Sequence, residues 1–470
     1  MEMSKQAATG CSEKEYKKLK KWKRMLSSTE SKRYFLLLMI IVSLIYIIDE
    51  VSTNINNSMQ SLVLFDLFHI ESRDVASPKY AAALTQIGLL GMVTLLFNFL
   101  MPIYKSLADR YGRKLFLLIN TAGMGLGMLL VMLAKNLGMY MIGVAVLAFV
   151  TPNDIHTMYI METAPIKHRA KLCNIIKAIG ILGISSIGIL RHIFVTDDIS
   201  SWRIVYLFPV IASVLVVLVG IFTVRESPAF IHDRISRLET NAQVKEDSSK
   251  PIEKNADSAN GGFIKAVRFI CRHRQLRNIA LCGIVFIITT VVTGYYESIM
   301  AATMSPAQIA TAIFCYPFSY AVITVISGIF SDRLGRKRVC QIFGCLATVA
   351  LLLFVLASKY IGNGVLCGLL YGMFVGGLWS TSDTLFFMCA QESAPTNLRA
   401  SVVGAMSLVA FGGSLLGGIV FVFLQNFIDL GWLCLGFTVP FMAAALILIS
   451  KRIGETKEID LETVTGCEWD

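Results

Sequence analysis

Of 470 residues, 55% are hydrophobic and only 16% are charged, giving a mean hydropathy of +0.64. A soluble chain carries nearer a quarter charged residues, so this composition excludes an ordinary water-soluble globular protein. The net charge of +11 would suit a nucleic-acid binder, but the basic residues sit in particular connections between apolar runs rather than on one surface.

In chain order, residues 1–33 form a basic tail in which Tyr16, Leu19, Trp22 and Met25/Leu26 recur at helical spacing among lysines. That pattern predicts either a helix lying flat on an anionic membrane surface or a solvated basic segment. Apolar runs of about twenty residues, enough to cross about 30 Å of hydrocarbon, then predict twelve spanning helices. They fall at 34–60, 81–104, 115–134, 138–162, 172–190, 203–224, 278–299, 307–331, 339–358, 362–390, 400–426 and 431–450. With these boundaries the N-tail, the even-numbered connections and the C-tail hold 36 Lys/Arg, and the odd-numbered connections hold six when Arg203, at the edge of predicted helix 6, is counted with them. The charge bias predicts a multi-pass protein of the cell membrane with both termini cytoplasmic. The expected fold class is an all-α membrane protein.

Predicted helix 1 ends in a polar string that includes Asp49, Glu50, Thr53, Asn56, Asn57 and Gln60. Asp49, Thr53, Asn56/Asn57 and Gln60 share one helical face, which lipid would not tolerate, so the face is expected to line an aqueous path. In predicted helix 3, Gly123, Gly125 and Gly127 allow close helix packing. Predicted helix 4 carries Pro152, Asn153, Asp154 and His156 at mid-membrane depth. Residues 225–277 are polar, with short interfacial helices expected at 227–238 and 263–276 and a disordered centre at 241–262. The predicted organisation is a tail 1–33, a six-helix unit 34–224, a linker 225–277, a second six-helix unit 278–450 and a tail 451–470. Eleven cysteines lack a C-x-x-C pair, so neither disulfides nor a metal site are expected. There is no G-x-x-x-x-G-K and no nucleophile motif beside any of the six histidines, so neither an enzyme, ATP drive nor a cofactor is expected.

Two short patterns recur. Asp109-Arg-Tyr-Gly112-Arg113-Lys114 is echoed by Asp332-Arg-Leu-Gly335-Arg336-Lys337, 223 positions on, and Glu162-x-x-Pro165-x-x-x-Arg169 by Glu392-x-x-Pro395-x-x-x-Arg399, 230 positions on. The D-R-x-G-R-K turn resembles the signature loop of the major facilitator superfamily. The Met158–Lys171 stretch resembles its sugar-porter branch, with Ala170 in place of a Gly. Trp202-Arg203, Glu226-Ser-Pro228 and Glu455-Thr-Lys457-x-x-x-Leu461-Glu462 extend the resemblance over residues 34–462, although Lys105, Arg225, Ala229 and Glu458 depart from the pattern. The resemblance implies two pseudo-symmetric six-helix bundles and secondary transport of a small organic solute by alternating access in a monomer. It also implies a cytoplasmic gate of ion pairs tying the bundles together, built from Asp109, Arg113, Glu162, Arg169, Asp332, Arg336, Glu392 and Arg399.

For proton coupling, Asp49 stands where proton-linked sugar porters carry an Asp, with Glu50 beside it. The Arg that pairs with it in those relatives falls at Ile142, so its partner is absent. Asp154, His156 and Lys177 are the available substitutes. The family's sugar-binding amides fall at Ile184, Val285, Phe286 and Val291, and its helix 10 Trp at Phe387. The cavity candidates are therefore Asn57, Gln60, Glu297, Tyr295, Trp379, Asp383 and Phe387, whose aromatic and acidic members favour a cationic or zwitterionic solute. A sugar transporter or uniporter, and a transporter-like sensor, are the alternatives.

Overall fold

The protein is described by a computed structural model over residues 13–29, 31–70, 74–101, 104, 107–108, 111–153, 155–163, 169–228, 230–232, 234–236, 238–239, 258–394 and 399–456. Asp109 and Asp154 lie outside the described residues, and Arg169 and Arg399 are described by backbone only. Among the described residues twelve helical spans are long and apolar enough to cross a membrane. The main helices of these spans are α1 Lys32–Ser58, α2 Pro78–Thr94, α3 Arg113–Met132, α4 Leu137–Val150, α5 Arg169–Gly183 and α6 Trp202–Thr223 in the first half. The second half holds α7 Arg274–Ile287, α8 Pro306–Leu334, α9 Arg336–Tyr360, α10 Gly364–Ser382, α11 Arg399–Leu424 and α12 Leu430–Arg452. An even number of crossings puts both chain ends on one face, here called the terminal face.

Several spans are interrupted. The chain of α1 bends at Met59, with φ −117°, and resumes as Gln60–Leu67. Predicted helix 4 is not continuous: α4 stops at Val150, a 3₁₀ turn spans Thr151–Asn153, and Ile155–Thr163 follows. Pro152 accounts for the break, since it lacks a backbone donor and clashes with the preceding turn. In α7 the 3₁₀ segment Ile288–Gly294 leads into Tyr296–Ala301, and α10 passes into a π-helix over Asp383–Cys389.

Between the spans, small residues bring backbones together. A Cβ at Gly364, Gly368 or Gly372 of α10 would fall 2.3, 2.5 or 2.0 Å from the α8 carbonyls of Gln308, Ala312 and Tyr316. This one-turn glycine stripe lets two helices meet at backbone distance, the main attractive device where lipid removes any hydrophobic drive. The Gly123, Gly125 and Gly127 stripe packs likewise, against Val150, Ser213 and Leu147. The halves touch in the same way: Gly188, after α5, lies on the Phe314 backbone, and Ser185 Oγ donates to the Phe314 carbonyl at 2.9 Å.

The basic tail forms a helix, Glu13–Thr29, but its apolar face is not turned to a membrane surface. Leu19, Trp22, Met25 and Leu26 cover Ile231, Ile235 and Leu238 of the segment after α6, and Lys23 Nζ pairs with Glu239 at 2.8 Å. The apolar stripe is satisfied by protein instead of lipid. The second expected linker helix is Ser258–Arg272, starting earlier than predicted and ending where His273 caps α7. Of the centre expected to be disordered, 241–257 lie outside the described residues.

Candidate functional site

On the terminal face the two repeated turns build two matching clusters. Gly112 (φ 116°) and Gly335 (φ 91°) occupy a region that L side chains rarely adopt. A Cβ at Gly112 would lie 2.3 Å from Glu226 Oε2, and one at Gly335 2.6 Å from Glu455 Oε2. The glycines let the following helix present its first N–H groups to a carboxylate. Arg113 N and Lys114 N donate to Glu226 Oε1 at 2.7 and 3.0 Å, and Arg336 N and Lys337 N to Glu455 at 2.7 and 3.2 Å.

The arginine side chains follow the same plan. Arg113 Nη2 meets Glu162 Oε1 at 2.9 Å and Arg336 Nη2 meets Glu392 Oε1 at 2.9 Å. Each glutamate also accepts a hydroxyl at 2.6 Å, from Ser227 in the first half and Thr456 in the second. Among the described residues both ion pairs lie inside one half, while the side chains of Asp109, Arg169 and Arg399, also expected to tie the bundles together, lie outside the described residues. The two pairs brace α3 to the chain after α4 and α9 to the end of α10, because the repeat unit is the half itself. Among the described residues Asp332 pairs within its own motif, at 3.2 Å from Arg336 Nη1, and is 80% exposed.

Midway through the molecule lies a cavity of about 400 Å³. Thr53, Asn56, Asn57 and Gln60 of the α1 polar face line it, with Tyr140, Thr151, Thr290, Thr293, Tyr295, Trp379 and Ser414 around them. None of its described lining residues is charged. Asn56 Oδ1 accepts from Tyr206 OH at 2.8 Å and Gln60 Oε1 from Ser298 Oγ at 2.7 Å. No hydrogen-bond partner among the described residues holds the Asn57 side chain or the Gln60 NH2. Ile184 and Phe286, positions of the missing family amides, are fully buried. Neutral hydrogen-bonding capacity is thus present, its amides supplied by Asn56, Asn57 and Gln60 rather than by the family positions in α5 and α7.

The acids predicted to line this space are elsewhere. Glu297 is fully buried against Arg191, with Arg191 Nη2 2.8 Å from its Oε1. Asp383 pairs with Lys177 Nζ at 2.8 Å across the halves. The predicted acidic C-half wall is therefore corrected to two neutralised pairs, each completed by a cation from the first half. Phe387, 41% exposed, is not among the cavity-lining residues. Arg191 was missed as a site residue because it stands at a predicted helix end, where a basic residue reads as a topology anchor.

Asp49 does not reach the cavity. It is buried beside His156, whose Nε2 lies 4.0 Å from its Oδ2 and whose ring meets Tyr46 edge-on at 4.3 Å. Of the substitutes for the absent arginine, His156 faces Asp49, whereas Lys177 is engaged by Asp383. Glu50, one residue on, points to another neighbour: Asn54 Nδ2 is 3.5 Å from its carboxylate, and Asn54 Oδ1 accepts from Tyr316 OH of the second half at 3.3 Å. Among the described residues there is no cluster of His, Cys, Asp and Glu able to hold a metal ion.

These features have counterparts in known proteins. The chain is 22% identical over 377 residues to a glucose transporter, GlcP, of Staphylococcus epidermidis, covering 76% of this chain and 83% of that one. Its fold matches the inward-open xylose transporter XylE from E. coli with a TM-score of 0.65 at 16% identity, over 92% of this chain and 99% of that one. A partially occluded inward-open form of XylE gives 0.66 at 14% identity, over 90% and 99%. The family model of the Major Facilitator Superfamily matches residues 34–418 and again 279–458. With twelve spans in two halves and duplicated turn clusters, this chain belongs to the Major Facilitator Superfamily, as a sugar-porter-like membrane transporter and not an enzyme.

Proposed function

We propose that the chain moves a small neutral polyhydroxylated solute, of the monosaccharide class, by proton-linked alternating access. The observation that carries this reading is the uncharged cavity of about 400 Å³, lined by amides, hydroxyls and Trp379. A sugar needs many hydrogen bonds and a flat apolar wall, since each hydroxyl left unpaired costs about 1–3 kcal/mol. The cationic or zwitterionic preference loses its basis once Glu297 and Asp383 are matched by Arg191 and Lys177. The names of GlcP and XylE favour the same solute class.

In this reading residues 34–224 and 278–450 rock as rigid bodies joined by 225–277, with the two turn clusters stiffening each body. Asp49 carries the proton. It is buried in α1, with His156 Nε2 4.0 Å from its Oδ2. Both termini are cytoplasmic, as the charge bias requires, and the solute and protons are the transported partners.

Purified protein in liposomes tests the reading. Uptake of glucose or xylose, stimulated by an inward proton gradient and abolished by Asp49→Asn, is the expected result. Uptake indifferent to a proton ionophore would replace symport by uniport. Saturable uptake of amines with none of either sugar would overturn the solute class.

A further inference from the structure

The buried pair between Arg191 and Glu297 joins the halves at the face opposite the chain ends. Arg191 is 3% exposed and Glu297 0%. All described hydrogen bonds to the Glu297 carboxylate come from the other half: Arg191 Nη2 at 2.8 Å, Ser61 Oγ at 2.6 Å and Ser61 N at 2.8 Å. Arg191 Nη1 also donates to the Ser58 carbonyl, and Ser58 Oγ lies 2.6 Å from Tyr296 OH. The break at Met59 makes this possible, because interrupting α1 frees the Ser58 carbonyl and the Ser61 amide from helical pairing. Gln60, between these serines, both lines the cavity and accepts from Ser298, so the pair adjoins the cavity without lining it. Among the described residues, the further polar links across this face, such as Thr85 to Asn426 at 2.7 Å and Tyr80 to Ser298 at 2.8 Å, are between neutral groups.

We propose that Arg191 and Glu297 are the latch of this transporter, a charged pair made only while the face opposite the termini is shut. Rocking the halves apart there strips Glu297 of three hydrogen bonds and its counter-charge together, so the latch holds the closed arrangement until water enters to solvate both groups. A buried pair is strongly position-dependent in this way, since either partner alone is a desolvated charge. The inference rests on alternating access but not on the identity of the solute.

The test uses a cavity thiol, Ser414→Cys, and a membrane-impermeant maleimide applied without solute to membrane vesicles of each orientation, scored as the increment over the same protein lacking that thiol. Arg191→Met with Glu297→Gln removes both charges together. It is expected to raise labelling from the face opposite the termini by about tenfold and to lower it from the terminal face, as a two-state shift requires. Ser61→Ala keeps both charges and removes one hydrogen bond to Glu297, and is expected to move labelling in the same directions by about threefold. Should the double variant fail to reach the membrane, the Ser61→Ala result decides alone. Unchanged labelling from the opposite face, or an equal rise from both faces, would overturn the latch. Absent sugar uptake would sink the solute assignment and leave this outcome untouched.

Discussion

The terminal face and the face opposite it are both held by arginine–glutamate pairs, but the pairs do different work. Arg113–Glu162 and Arg336–Glu392 are copies of one device, each confined to its own half and partly open to water, with the arginines 12% and 15% exposed. Arg191–Glu297 occurs once, is sealed from water and crosses between halves. Each described copy of the repeated motif makes its arginine–glutamate contact inside its own half and braces that bundle. The ion pairs that cross between the bundles, Arg191–Glu297 and Lys177–Asp383, come from residues outside the repeated motifs.

The sharpest way to break this contrast is to remove one buried charge. Arg191→Met leaves Glu297 desolvated and uncompensated, with an expected loss of about 3–5 kcal/mol. It should appear as a collapse in the yield of monodisperse protein in detergent, largely restored when Glu297→Gln is added. A lone variant as stable as the parent would show that the pair is not sealed as described.

Next in size are the turn glycines. Gly112→Ala or Gly335→Ala places a methyl group against Glu226 or Glu455 at an unfavourable φ, which is expected to cost about 1–3 kcal/mol. The two variants should lower the thermal midpoint similarly, and a loss at only one turn would deny their equivalence.

Neutralising the braces is milder still. Glu162→Gln and Glu392→Gln keep the hydroxyl contacts to Ser227 and Thr456 but weaken the arginine pair, for an expected 1–2 kcal/mol, roughly. Transport should fall in both while cavity-thiol labelling keeps its ratio between the faces. A changed ratio would make these pairs gates after all.

The smallest effect is expected at Asp429, in the connection between α11 and α12. Partial burial would raise its pKa, but hydrogen bonds from Lys359 Nζ and the Trp432 N–H outweigh it and hold the carboxyl below its ordinary range. A depressed folded pKa stabilises above the unfolded value and loses that contribution as pH falls through the folded one. Because the pair is exposed, Asp429→Asn should cost at most about 1 kcal/mol at pH 7. The difference from the parent should vanish at low pH, measured as the shift in thermal midpoint.

Much of this was legible in the residues. Hydropathy located the twelve spans to within a few residues, since crossing hydrocarbon demands about twenty apolar positions whatever the neighbours are. The duplicated turns and their glutamates were visible because a Gly at positive φ and a charged turn at the membrane boundary each constrain residue type locally. The polar face of α1 was also readable, as helical spacing alone puts Thr53, Asn56, Asn57 and Gln60 together. Tertiary structure alone decided who partners whom. Nothing in the spacing of Glu297 and Asp383 reveals that Arg191 and Lys177 of the other half stand opposite them, or that His156 rather than Lys177 faces Asp49. A side chain's counter-charge depends on which helices the fold brings side by side, and here that turned an acidic wall into a neutral cavity.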